Sequence, residues 1–190
     1  MTDRVIDVAF LGNRYNTVGD PFASTYKWKN GSPAHDAGLR DEVVEKLREE
    51  LGDRFALYGS GWGGEVRHVP VTESHLIYQR AKIGLSISLD NKLECYSSDR
   101  LLRVLACGAL ALVKRFPGMS VLGLRHADNC LVFETAEEAV ALARKALDPK
   151  NADLLQGIAE RGARLAAENH GWEVRMREMM KYVKSIRSNR

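Results

Sequence analysis

The chain reads as an α/β domain, a mostly parallel sheet with helices on both faces. Three observations point there. Strand-like and helix-like segments alternate almost throughout. The strand segments are continuous apolar runs, as in strands buried on both faces, where half-exposed strands would alternate. The helical segments carry one-sided apolar stripes. At 190 residues, with 45% hydrophobic and 28% charged residues, the chain has the size and composition of one ordinary globular domain with at most an appendage.

Val5 to Leu11 is a short apolar run closed by Gly12, a strand entering a loop. Residues 13–38 read as a long loop with the aromatics Tyr15, Phe22, Tyr26 and Trp28; loops of that length are often functional. Arg40 to Leu51 is a helix with Val43, Val44, Leu47 and Leu51 on one face. Phe55 to Tyr58 is a second strand, followed by the glycine-rich G-S-G-W-G-G. Val66 to Val71 reads as a third strand, and Thr72 as the cap of a helix from Glu73 to Ala81. Ile83 to Leu89 is a fourth strand, followed by the polar loop D-N-K-L-E-C-Y.

The segment S-S-D-R-L-L-R-V-L-A-C-G-A-L-A-L-V, from Ser97 to Val113, carries the most chemistry. Ser97, Ser98 and Asp99 suit a helix start; Leu101, Leu102, Val104 and Leu105 form the apolar face. Gly108 ends the helix, and Ala109 to Val113 is a buried strand. Arg100 lies in the first turn, where a cation opposes the helix dipole, so a bound anion would account for it. An ordinary capped helix is the alternative. Cys130 to Phe133 is a further strand, and Thr135 with Glu138 forms a capping box for a helix that Asp148 and Pro149 stop. Residues 151–169 are helical, with Leu154, Leu155, Ile158 and Leu165 inward.

Residues 171–190 carry six cations against two glutamates, a net charge of +4 within a total of +3. There Trp172, Met176, Met179, Val183 and Ile186 fall at spacings of 4, 3, 4 and 3, an apolar stripe. The expected organisation is a domain over 1–170 and a basic amphipathic helix over 171–190, packed on it or extending from it. A stripe docked on the domain with a solvated basic face fits the pattern, with nucleic-acid or membrane contact as the alternative.

Several chemistries find no support. No run approaches the roughly 20 apolar residues that span a bilayer. The N-terminal segment lacks a signal-peptide pattern, and the three cysteines suit a reduced, cytoplasmic setting. The five histidines and the cysteines lack metal-ligand spacing, so no metal is expected. A phosphate-binding G-x-x-x-x-G-K-[ST], a G-x-S-x-G elbow and a dinucleotide fingerprint are all missing. Ligands of parallel sheets bind beyond the carboxyl ends of the strands. The loops at 12–14, 58–64, 70–74, 89–98 and 114–120 share that rim, with Arg14, Lys82, Arg100, Lys114 and Arg115 as cations suited to a diphosphate.

Taken together, these segments resemble the donor-binding C-terminal half of GT-B glycosyltransferases, most closely the spore-maturation (CgeB-like) group. The resemblance runs through D-V-A-F-L-G, the helix at Arg40, Y-G-S-G-W at 58–62 and Y-Q-R-A-K-I-G-L-S-I-S at 78–88. It continues through S-S-D-R-L-L-R-V-L-A-C-G at 97–108, C-L-V-F-E-T-A-E-E-A at 130–139 and H-G-W-E-V-R-M at 170–176. It implies a Rossmann-like domain, a single GT-B half, that binds a nucleotide-diphosphate sugar without a metal or other cofactor and transfers the sugar to an acceptor. By the same resemblance Gly12 and Asn13 approach the diphosphate, and Tyr58, Gly59 and Gly61 border the donor. Pro70 and Val71 line the base, while Tyr96, Ser97, Ser98 and Arg100 face the phosphates or sugar. Lys82 and Gly108 complete the donor-binding set, and Arg14 and Arg100 are the catalytic candidates. Two departures accompany this. Where the family carries a ribose-holding glutamate five residues before the glycine matching Gly108, this chain has Arg103; the partner glutamate would fall at Cys95, with Glu94 one place off. A guanidinium cannot accept from ribose hydroxyls, so donor recognition differs or is lost. GT-B chemistry also needs a second domain, so the acceptor half comes from a separate acceptor-domain chain or a second copy, is dispensable, or lies outside this sequence. The alternatives are a non-catalytic nucleotide- or sugar-binding module and a DNA-associated sugar transferase.

Overall fold

The computed structural model describes residues 4–14, 37–63 and 66–188. Among these, five strands form one wholly parallel sheet: β1 (Ile6–Leu11), β2 (Phe55–Tyr58), β3 (Ala81–Ser86), β4 (Leu110–Lys114) and β5 (Leu131–Phe133), in the order β2-β1-β3-β4-β5. Val8 faces both Phe55 and Ile83 in register, and Ile83 faces Leu110. The helices are α1 (Ala37–Leu51), α2 (Ser74–Arg80), α3 (Asp99–Ala106), α4 (Ala136–Leu147), α5 (Ala152–Asn169) and α6 (Trp172–Ser188).

Alternate strand residues feed two cores, as the two-residue period of a strand requires. Val8 and Phe10 join Val43 and Leu47 of α1 and Ala139 of α4 on one face. Ala9 and Ala111 join Tyr78 of α2 and Leu101, Val104 and Leu105 of α3 on the other. Helix α5 serves both, giving Leu155 and Ile158 to the first core and Ala166 to the second. Helix α3 lies directly on β3. A Cβ at Gly84 would come within 2.5 and 2.6 Å of the two Val104 methyls, so only glycine permits this approach. Gly108 then takes a φ of +68° to leave α3 and enter β4.

The start of α4 is capped as the sequence expects, and that of α2 is not. Thr135 accepts from the Glu138 N–H at 3.2 Å, and the Glu138 carboxylate reaches back to the Glu134 N–H at 2.7 Å. Thr72, in contrast, lies inside a 3-10 turn (Val71–Glu73), and Ser74 begins α2 with its hydroxyl donating to Val71 O at 2.7 Å.

Three expectations are corrected. Residues 66–71 form no strand: Pro70 lacks an N–H and the segment is largely exposed, so Arg67 O meets only the Gly59 N–H, at 3.0 Å. Leu154 is 61% exposed, because α5 turns Leu155 and Ile158 inward and leaves their neighbour outside. The stripe of α6 is not docked; Trp172 is 85% exposed and Met179 61%. The aromatic loop at 15–28 lies outside the described residues.

Candidate functional site

Strand order reverses between β1 and β3, since the chain runs outward from β1 to β2 on one side and from β3 to β5 on the other. Such a switch point leaves a crevice beyond the carboxyl ends of the two central strands. Here it is a cleft of about 190 Å³. Gly12, Asn13, Tyr58 and Gly59 build one side from the ends of β1 and β2. His68, Val69 and Val71 close a second, with Ser74 and Tyr78 of α2 behind them, and Asp99, Arg100 and Arg103 of α3 form the opposite wall.

Backbone packing fixes the glycine side. Gly12 N–H donates to Tyr58 O at 2.9 Å, Trp62 Nε1 donates to Gly12 O at 2.6 Å, and Ser60 N–H donates to Asn13 Oδ1 at 2.9 Å. At Gly59, with φ at +132°, a Cβ would collide with the Gly12 carbonyl, so the two loops touch backbone to backbone.

Arginines hold the strand ends. Arg100 Nε donates to Leu11 O at 2.5 Å, and its Nη1 donates to Ile87 O at 3.0 Å and Ser98 Oγ at 3.4 Å. Arg40, 3% exposed, donates to the same Ile87 O at 2.8 Å and to Asn13 O at 3.2 Å. Both guanidinium groups stand over the Phe10 ring, with Cζ 4.8 Å (Arg100) and 5.9 Å (Arg40) from its centroid. Arg100 therefore ties β1 to β3 as well as lining the cleft. Ser98 precedes α3, but its hydroxyl caps none of the helix N–H groups.

The structure brings Gly12, Asn13, Tyr58, Gly59, Val71 and Arg100 to the cleft, and Pro70 immediately precedes its 3-10 turn. Other expected residues go elsewhere. Arg14 turns away to Asp41 and Glu45 of α1, both at 2.9 Å, and lies over Trp62; its bond to Asp41 is the main cause that raises its pKa. Gly61 packs on the Arg14 carbonyl, outside the cleft. Lys82 bonds Asp7 at 2.6 Å near the opposite end of the sheet, because it follows the first residue of β3 and not the last. Gly108 sits at the far end of α3, a helix about 12 Å long, where it serves as a helix stop. Ser97 and Ser98 line a neighbouring hollow with Leu122 and His170, while the Tyr96 N–H turns back to Leu93 O at 3.3 Å. Lys114 and Arg115 both pair with Glu134 in a separate hollow beyond β4. Hydrogen bonding to Lys114 is the leading cause that holds the Glu134 carboxyl below its ordinary value.

His68 and Tyr78 were not singled out for this cleft by the sequence; Ser74 entered only as the end of a rim loop, Asp99 only as part of a helix start, and Arg103 only as the residue at the ribose-holding position. Two pairs carried a usable signal: Ser74 with Tyr78, and Asp99 with Arg103, each stand four apart and so share one helix face. Asp99 and Arg103 form an ion pair on the cleft wall. Tyr78 is 1% exposed, and its hydroxyl has no hydrogen-bond partner among the described residues. Burial pushes its pKa up to about 12, so at neutral pH it is an uncharged phenol. Among the described residues no group of three His, Cys, Asp or Glu side chains could hold a metal ion, and no helix is long and apolar enough to cross a membrane.

Similarity to known proteins agrees with this architecture. The Anabaena protein Alr3699/HepE, in complex with UDP and glucose, superposes with a TM-score of 0.63 at 10% identity, over 96% of this chain and 49% of that one. A glycosyltransferase from Rickettsia africae gives 0.60 at 12% identity, over 97% and 49%. Sucrose-phosphate synthase from Thermosynechococcus elongatus gives 0.57 at 16% identity, over 97% and 46%. These neighbours are GT-B glycosyltransferases; the chain spans about half their length and has the Rossmann-like fold of a single GT-B half. No curated protein matches the chain significantly. The family model described as glycosyl transferase-like matches residues 40–181, which contain the whole α3 wall of the cleft, and the chain accordingly belongs to that family.

Proposed function

We propose that the cleft binds the nucleoside diphosphate of an activated sugar and that the sugar passes from it to an acceptor without a metal. The observation that carries this reading is the composition of the α3 wall. An uncapped helix start, Arg100 and Arg103 face one cleft at the switch point, which the buried Tyr78 also lines. The Anabaena neighbour's complexes with UDP and UDP-glucose support it.

In this mechanism the diphosphate gains negative charge as the anomeric C–O bond breaks. The helix dipole of α3 and the two guanidinium groups offset that charge from fixed positions. Arg100 acts while held by Leu11 O and Ile87 O, so its charge is preorganised. Arg14 contributes no direct contact, being held by Asp41 and Glu45. Arg103 donates only, so ribose hydroxyls must find acceptors elsewhere; Asp99, one turn before it, supplies a carboxylate on the same wall. Within the family we assign the chain to the CgeB-like group, acting in the cytoplasm. The acceptor side comes from outside these residues, which span about half the length of the structural neighbours. A cleft of about 190 Å³ is smaller than the roughly 300–1,000 Å³ of self-sufficient small-molecule sites, which suits one wall of a two-walled site.

Thermal-shift measurements with UDP, GDP, dTDP and their sugars test the reading. At about 100-fold excess over Kd, a native-state ligand stabilises by about 2.7 kcal/mol, raising the melting temperature by a few degrees. The shift should persist in EDTA and shrink in Arg103→Ala. No response to any nucleotide sinks the proposal.

A further inference from the structure

We propose that the hollow beyond β4 is a subsite for an acidic sugar, one bearing a carboxylate or a phosphate, and that such a sugar is one of the two that meet at this domain. The inference deepens the donor reading and rests on it for the presence of a sugar nearby. The hollow, of about 600 Å³, lies on the same rim as the cleft. The cleft opens beyond β1 and β3, and β4 pairs with β3, so only one or two strand spacings, about 5–10 Å, separate the two sites. One loop serves both. It leaves β3, carries Asn91 and Lys92 past the hollow, and returns to α3, where the Ser98 N–H donates to Ser88 Oγ at 3.0 Å.

The groups around the hollow are rich in donors and poor in acceptors. Lys92, Lys114 and Arg115 bring three positive charges against the carboxylate of Glu134, which Lys114 and Arg115 share. His126 adds a donor. Its Nδ1 accepts the Val132 N–H at 2.9 Å, which leaves the proton of the neutral ring on Nε2. The nearby acceptors are engaged. The Asn91 amide bonds the Ser88 N–H and carbonyl, and the buried Asp90 carboxylate takes the Lys92 N–H at 2.8 Å. Across the hollow, Pro117 O accepts from the Cys95 N–H at 2.9 Å, and the Gly118, Met119 and Ser120 carbonyls accept from the turn that follows them. Excess positive charge and donors around a concave surface suit a carboxylate or a phosphate.

The floor selects a sugar over a bare ion. Phe116, Met119, Leu124 and Val132 form it, all buried, and an apolar floor under a few placed polar groups is how small-molecule sites hold a ring. The hollow is also preformed. Gly118, at a φ of +79°, lies so close to Cys95 that a Cβ would come within 2.5 Å of its Sγ, so the loops on the two sides are locked together. No bare outer surface is required. On the donor reading this rim is the edge that the acceptor half approaches, and a group bound in the hollow would lie between the two halves.

Backbone amide NMR of the full chain tests the hollow and the cleft separately. Glucuronate and glucose 6-phosphate should shift the amides of 115–120 and His126, and should bind at least about tenfold more tightly than glucose. Lys92→Gln with Arg115→Gln should remove that preference. Both side chains are exposed and Lys114 still pairs with Glu134, so circular dichroism and the melting temperature should stay unchanged. UDP, GDP or dTDP should instead shift the Gly12 and Gly59 amides; if none does, the donor reading alone fails. UDP-glucuronate against UDP-glucose identifies the source. An acidic donor shows as tighter binding of UDP-glucuronate, an acidic acceptor as binding of glucuronate or glucose 6-phosphate that persists at saturating nucleotide. Three outcomes overturn the subsite: the acidic sugars bind no better than glucose and UDP-glucuronate no better than UDP-glucose; the double variant keeps the preference; or a nucleoside diphosphate alone moves the 115–120 amides as far as the acidic sugars do, which would assign the hollow to the diphosphate.

Discussion

Arg100 illustrates why a residue's type is legible in a sequence while its work is not. A cation in a first helical turn signals an anion, and Arg100 does line the cleft. Yet the same side chain joins Leu11 O, Ile87 O and the Phe10 ring, contacts that depend on partners 13 and 89 residues away. Arg100→Ala should therefore cost about 2–4 kcal/mol of stability besides weakening nucleotide binding, because charged hydrogen bonds to two carbonyls are lost. Urea denaturation in the absence of ligand would separate the two effects. Tyr78 yields a prediction of opposite kind. Its folded pKa, about 12, lies above the unfolded value near 10, so its neutral form is fully favourable below pH 10. As pH rises from 10 toward 12 the unfolded chain loses a proton that the folded chain keeps, and stability falls by about 1.4 kcal/mol per pH unit. In tyrosinate absorbance Tyr78 should contribute a late-ionising component, and Tyr78→Phe should remove it.

At the level of elements, the boundaries that punctuation residues mark were the most readable. Thr135, Asp148, Pro149 and Gly108 start or stop α4 and α3 where the sequence places them, because capping and left-handed backbone are local physics. The segment 66–71 misled because its valines mimic a strand, while only an unfilled sheet edge and Pro70 decide against one. Lys82 misled for a related reason: a strand's two ends look alike in sequence, and the direction of the sheet assigns it to Asp7 instead of the cleft. The contact of α3 with β3 is testable. Gly84→Ala should destabilise by about 1–3 kcal/mol through overpacking on Val104, and Gly84→Ala with Val104→Ala should recover part of the loss, as read by thermal unfolding. Thr135→Ala should cost about 1 kcal/mol by removing the α4 cap.

Over the whole molecule, parallel topology was the surest expectation, since doubly buried apolar runs have few other solutions. The cleft was visible only as a rim of loops; its residues gather there because strand order reverses between β1 and β3, which no local pattern announces. Acid stability belongs to this scale as well. Glu134 links the ends of β4 and β5 through Lys114 and Arg115. Its lowered folded pKa gives a contribution that is present above the ordinary carboxylate value near 4.3 and lost as pH falls through the folded one. Glu134→Gln should flatten acid unfolding in that range and lower the thermal midpoint at neutral and alkaline pH, where the contribution it removes is fully present.

The bare backbone of β3 at Gly84 has one more consequence. With no side chain interposed, α3 cannot slide or tilt against the sheet without colliding with it, so the positive end of its dipole keeps one height above the strand tips. A negatively charged guest would meet a finished surface there, and structures determined with and without it should show α3 at the same height above β3.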